Sequence, residues 1–190
     1  MAVKSAVLIG DSIRIGYQAH VMAALSGQVE IWVPEQNGGD SRNVLAHLDE
    51  WVLARAPDLV HVNCGLHDLK RAFGAGPNVP LEEYAANVRQ LLMRLQGEVA
   101  VVWAQTTPVD EQLHHKNKSF DRFEADVEAY NAAARSVVEE LDVPIDDLFA
   151  VVERAGKARL LTQDGVHFTD EGSQILAGAV VACLRQHLEL

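Results

Sequence analysis

The chain has 190 residues, 48% of them hydrophobic, and a formal net charge of -11. That size fits a single domain spanning 1–190, able to bury roughly 70% of the surface its unfolded form exposes. The diffuse negative field works against a phosphate backbone or an anionic membrane, so neither nucleic acid nor membrane is an expected partner.

In chain order, strands and amphipathic helices alternate. SAVLIG (5–10) reads as a strand, SIRIGYQAHVMAAL (12–25) as a helix, and VEIWV (29–33) as a strand. A helix over SRNVLAHLDEWVLAR (41–55) and a strand over DLVHVN (58–63) follow, and AFGAGPNVP (72–80) reads as a loop. LEEYAANVRQLLMRL (81–95) is a helix by its apolar spacing of three and four, VAVVWAQ (99–105) is a strand, and PVDEQLHHKNKSFD (108–121) is a second loop. A helix over RFEADVEAYNAAARSVVEEL (122–141) and a short strand VPI (143–145) lead to a final helix from about Asp170 to His187. Thr169 or Asp170 is its expected cap, with Glu171 in its first turn. The strands are too apolar to be half exposed, which suits a parallel sheet covered on both faces. The expected fold is a three-layer α/β/α sandwich with a central parallel sheet of about five strands, flavodoxin-like in architecture.

The first residues, MAVKSAVLIG, run straight into the fold, and no apolar run is long enough to cross a bilayer. Cys64 and Cys183 lie far apart without metal-ligand spacing, so a reduced, cytoplasmic protein is expected. Trp32, Trp51 and Trp103 lie on apolar faces and read as core, and Tyr130-Asn131 as helix residues packed on the sheet. His114-His115 lack a third ligand at suitable spacing and read as exposed loop residues, so no metal is expected.

In an open α/β sheet, ligands collect at the carboxyl ends of the strands. The sequence places Gly10-Asp11-Ser12, Asn37-Gly38-Gly39-Asp40-Ser41, Asn63-Cys64-Gly65-Leu66-His67-Asp68 and Thr106-Thr107-Pro108 after successive strands, and Asp164-Gly165-Val166-His167 before the last helix. A serine at a strand-to-helix turn, a histidine that titrates near neutrality and an aspartate three residues before it are the parts of acyl transfer: nucleophile, base and orienting acid. Two glycine-bearing turns can supply backbone donors to an oxyanion. The competing reading is a flavodoxin-like phosphate binder, but the first loop is acidic at Asp11 and lacks a Gly-rich cradle followed by lysine.

Gly10-Asp11-Ser12, the glycine after the second strand, Gly65-Leu66-His67-Asp68 and Asp164-Gly165-Val166-His167 together resemble the SGNH (GDSL) hydrolase family, in the expected order over most of the chain. The resemblance implies Ser12 as nucleophile, Asp164 and His167 as its partners, and an oxyanion hole built from the N–H groups of Ser12 and Gly39, with Gly38 one register away. The family has Gly-x-Asn-Asp where this chain has Gly65-Leu66-His67-Asp68, so His67 takes the asparagine position and Asn63 is the alternative donor. Asp11 and Asp68 are expected to contact substrate. The resemblance implies a serine esterase without cofactor, acting on a small-molecule ester; a short acyl or O-acetyl ester, carried by a carbohydrate, comes first. A lipid or thioester acyl hydrolase is the alternative, and an inactive binding relative is the alternative of another class.

Overall fold

A computed structural model describes residues 3–190. In chain order, β1 (Lys4–Ile9), α1 (Ser12–Ala24), β2 (Val29–Trp32), α2 (Ser41–Ala46), α3 (Leu48–Trp51) and β3 (Leu59–Val62) are followed by β4 (Arg71–Ala72), α4 (Leu81–Leu95), β5 (Ala100–Ala104) and α5 (Glu111–Asn117). The remaining elements are β6 (Phe120–Asp121), α6 (Glu124–Glu140), β7 (Ile145–Asp146), α7 (Leu148–Ala155), α8 (Lys157–Leu160) and α9 (Asp170–Leu188).

The main sheet has the order β2-β1-β3-β5-β7, and its pairs are all parallel. Every residue of β3 is buried, as a strand covered on both faces requires. α1, α7 and α9 pack together to form one outer layer, and α2, α4 and α6 the other. The expected three-layer sandwich is therefore the fold. In this order the chain winds outward in both directions from β1 and β3, so the crevice between their carboxyl ends is the topological switch point.

Where the sequence led elsewhere, local chemistry explains it. The helix expected over 41–55 is broken into α2, α3 and a 3-10 turn (Leu53–Arg55). The His47 ring breaks it: Nδ1 lies 2.9 Å from the Asn43 carbonyl and the ring stacks on Trp51 at 4.5 Å, so a side chain occupies a carbonyl at the α2 terminus. The two expected loops pair with each other instead, Arg71–Ala72 against Phe120–Asp121 in antiparallel register. Within the second of them, Asp110 caps α5 by accepting from Leu113 N–H at 3.0 Å. His114, expected at the surface, is on the inner face of that helix and fully buried. Trp51 and Trp103 are in the core, while Trp32 is half buried beneath Arg55, whose Cζ lies 3.3 Å from the ring centroid.

Asp68 is a second correction. Expected to meet substrate, it is fully buried, and its two oxygens accept from Ser41 N–H at 2.9 and 3.1 Å, which fixes the start of α2 beneath the switch point. Burial pushes its carboxyl up to about 7, with the Ser41 bonds partly offsetting the shift.

Two outcomes follow from this packing. A carboxyl raised by folding from its usual 3.8 to about 7 contributes stability that is complete below pH ~4 and is lost as pH rises to about 7. Thermal melts should show the parent losing ground to Asp68→Asn across that window and holding constant above it. On the sheet, buried His61 Nε2 lies 2.9 Å from Asp146 Oδ2. His61→Ala should cost about 3 kcal/mol in urea melts because it strands the carboxylate, and the cost should shrink in an Asp146→Ala background; additive costs would show the two residues to be uncoupled.

Candidate active site

Ser12 opens α1 directly after β1. Asp11 caps the helix, its Oδ1 accepting from Ile13 N–H at 2.9 Å, and is almost wholly buried, so this carboxylate holds the turn and does not face substrate as expected. Gly10 has no room for a side chain: a Cβ there would lie 2.7 Å from Arg14 Cβ. The same close approach continues into the next loop, where a Cβ on Gly38 would lie 2.7 Å from the Gly10 carbonyl oxygen and where Gly38 N–H donates to that oxygen at 3.0 Å. Gly38 N–H is thereby used within the fold. Gly39, at φ +66, directs the next N–H out of the loop, where it meets Asn37 Oδ1 at 2.9 Å. Arg14 braces this arrangement from below, donating to the Gln36 carbonyl at 2.8 Å.

At the other end of the chain, Gly165 (φ +71) turns the backbone tightly against the residues that start α5; Asp110 N–H donates to its carbonyl at 2.8 Å. This turn carries Asp164 and His167 into the switch point, just before Thr169 caps α9. Ser12 Oγ lies 2.8 Å from His167 Nε2, and His167 Nδ1 lies 2.5 Å from Asp164 Oδ2. An ionised carboxylate only accepts, so Nδ1 carries the hydrogen and Nε2 is left to accept from the serine hydroxyl.

Asp164 collects five donors. Thr162 Oγ1, Val166 N–H and His167 N–H reach Oδ1 at 2.8, 3.1 and 2.9 Å, and Lys118 Nζ joins His167 Nδ1 on Oδ2 at 2.9 Å. Burial alone would raise this carboxyl; the bonds from His167, Lys118 and Thr162 outweigh it and hold the group well below the usual carboxylate range. It is therefore held ionised at neutral pH. His114 supports the same loop, its Nδ1–H donating to the Asp164 carbonyl at 3.0 Å.

His67 sits half buried on the same edge with no hydrogen-bond partner for its ring. Burial lowers its tendency to protonate; Asp11 and Asp40 oppose this, while Arg122 and Lys70 reinforce it. At neutral pH the ring is neutral, with one N–H to give. Asn63, the alternative donor, is turned away: its amide donates to the Ala104 carbonyl at 2.8 Å and lies 3.4 Å from Thr106 Oγ1, pinning β3 to the end of β5.

The structure thus gathers Ser12, His167 and Asp164 into one hydrogen-bonded line, with Gly39 and His67 on the same edge, and places Asp11, Asp68 and Asn63 in the scaffold. Sequence reasoning missed Lys118, Thr162, His114 and Arg122. Thr162 lies two residues before Asp164 and could have been noticed; a loop lysine, arginine or histidine far along the chain gives no such signal. Among the described residues, no cluster of three or more His, Cys, Asp or Glu could hold a metal ion, and no helix is long and apolar enough to cross a membrane.

The sequence pattern of the GDSL-like Lipase/Acylhydrolase family matches residues 8–175. The chain is 28% identical over 200 residues to the GDSL esterase/lipase WDL1 of Oryza sativa subsp. japonica, covering 95% of this chain and 77% of the relative. It is 26% identical over the same length to the GDSL esterase/lipase CPRD49 of Arabidopsis thaliana. Among solved structures, the lipase/acylhydrolase from Enterococcus faecalis superposes with a TM-score of 0.82 at 21% identity over 97% of this chain and 96% of that one. Axe2, an acetylxylan esterase from Geobacillus stearothermophilus, superposes with a TM-score of 0.71 at 20% identity over 97% and 94%. With the glycine, serine, aspartate and histidine turns all inside the matched span, the chain belongs to the GDSL-like lipase/acylhydrolase family, the SGNH hydrolases, and is a serine carboxylic ester hydrolase.

Proposed function

We propose that this enzyme removes a short acyl group, an O-acetyl ester carried by a carbohydrate, through an acyl-Ser12 intermediate. The observation that carries the reading is the line from Asp164 through His167 to the Ser12 hydroxyl. In the first half-reaction Ser12 Oγ attacks the ester carbonyl while His167 Nε2 takes its proton, and Asp164 holds the resulting imidazolium. The tetrahedral oxyanion meets the Ser12 N–H at the start of α1, where the helix dipole adds to its stabilisation. Gly39 N–H is the second donor; a full negative charge out-competes the neutral amide oxygen of exposed Asn37 that it now meets. His67 is the third, through the N–H of its neutral ring. Collapse of the intermediate breaks the ester bond, the alcohol leaves with the proton from His167, and water then enters by the same steps to release the acid and restore Ser12.

The cavity beneath Ile13, lined by Arg14, Tyr17, Asn63, Gln105, Thr107 and Leu148, has ≈ 10 Å³ of accessible space, room for about one water, so the acyl chain lies outside it. The acetylxylan esterase among the structural neighbours supports instead a two-carbon acyl group, with an acetylated carbohydrate as the alcohol side.

A fluorophosphonate should give one covalent adduct, mapped to Ser12 by mass spectrometry and absent from Ser12→Ala, and p-nitrophenyl acetate should be cleaved far faster than the palmitate ester. An adduct on another residue would refute the assignment of the nucleophile. Asp164→Asn should keep the fold but favour the wrong imidazole tautomer, lowering kcat by roughly a thousandfold or more; a change of a few-fold would reduce Asp164 to a turn residue. His67→Ala should lower kcat about a hundredfold with KM nearly unchanged, because the bond serves the transition state, whereas His67→Asn should retain activity. Equal activity in all three forms would leave the hole to backbone donors alone.

A further inference from the structure

Arg122 is a buried cation that the hydrolytic steps leave without a task. It follows β6 and is only 6% exposed, and one of its nitrogens is used: Nε donates to the Leu66 carbonyl, in the loop that carries His67, at 2.6 Å. Among the described residues, its two terminal amino groups have no hydrogen-bond partner and are not fully buried, and no carboxylate lies within ion-pair distance of it. Arg14, the other buried arginine, also lacks a carboxylate but spends its terminal nitrogens on Gln18 and on the Gly10 and Gln36 carbonyls; those of Arg122 have no such use. Donors that reach solvent from a largely buried guanidinium, without a protein acceptor, are free to bind an anion.

A second cation stands beside it. Lys70 Nζ lies 4.0 Å and Arg122 Cζ 5.1 Å from the centroid of the same Phe120 ring, and Lys70 likewise has no carboxylate partner. Two like charges gathered around one ring, neither paired with a carboxylate, make a setting that favours an anion. The bond from Arg122 to the Leu66 carbonyl anchors it to the loop that carries His67. Burial weakens the charged form of Arg122, and the fields of Asp11 and Asp164 partly offset this.

We propose that Arg122 and Lys70, held on Phe120, form a subsite for an anionic oxygen group, a carboxylate or a phosphate, on the alcohol side of the ester. A planar guanidinium with two free amino groups matches either group with paired hydrogen bonds, and the lysine adds a point charge. The subsite refines the substrate from an acetylated carbohydrate to an acidic one, and it rests on reading Ser12 and His167 as the hydrolytic pair.

The test compares an O-acetylated methyl glucuronoside with the O-acetylated methyl glucoside on the full-length enzyme. The charged ester should have a kcat/KM roughly tenfold higher, with the gain in KM and shrinking as salt is added. Lys70→Gln removes a charge that makes no bond within the fold and should cut the ratio several-fold; Arg122→Gln should bring it near one. A ratio near one in the parent, or one that survives both substitutions, overturns the proposal. Glucuronate and inorganic phosphate, titrated into Ser12→Ala by calorimetry, separate the two ligand classes by which binds tighter, and binding of neither also overturns it. If these anions bind and lose affinity in the Lys70 variant while no fluorophosphonate labels Ser12, the subsite stands and the hydrolytic reading falls.

Discussion

Two loop backbones can lie against each other only where no side chain stands in between, and the loops after β1 and β2 meet under that condition. Gly38 touches Gly10 through a peptide hydrogen bond where a Cβ on Gly38 would strike the Gly10 carbonyl, and Gly10 itself has no room for a Cβ against Arg14 of α1. From that contact, Asp11 sets the first turn of α1 and therefore the direction of Ser12, while the left-handed Gly39 turns the next N–H outward. Asp68 fixes the far end of the same loop by accepting from Ser41. The nucleophile turn and its neighbouring donor are thus positioned by backbone, on the ends of a rigid sheet, and owe little to adjustable side chains.

The carboxylates of this edge differ because their surroundings do. Asp164 receives five hydrogen-bond donors and is held ionised in spite of burial, whereas at Asp68 burial outweighs the bonds from Ser41 and pushes the carboxyl up to about 7. One group is fitted to steady an imidazolium; the other joins two loops. Environments that drive titratable groups apart are how one residue type fills two roles within a single site. His67 obeys the same rule, since desolvation and two nearby cations keep it neutral.

The sheet and the long helices were legible because burial on both faces leaves an unbroken apolar run and burial on one face leaves a 3.6-residue period; Leu81–Leu95 matches its expected bounds at both ends. The break at His47 was not, because it comes from a side chain reaching a carbonyl one turn back, which apolar spacing does not encode. α5 was missed because it is short and buries His114, a residue type that reads as polar. Ser12, Asp164 and His167 could be singled out from their chemistry and their places beside predicted turns. Asp11, Asp68 and Asn63 could not be sorted from substrate contacts without seeing which backbone groups they bond. Arg122 and Lys70 stand 52 positions apart, the first read as the start of a helix and the second lying in no expected element, and only the pairing of β4 with β6 brings them to one ring.

Ser12 and His167 are separated by 155 positions, and the helices that follow them, α1 and α9, pack on each other. A contact of that span closes a very long loop and rests on the intervening strands to hold its two ends together. On the proposed assignment, the serine at the end of β1 has no base until the turn before α9 is in place. A chain whose last helix has come loose would then hydrolyse no ester, and turnover would report that the two ends of the chain have met.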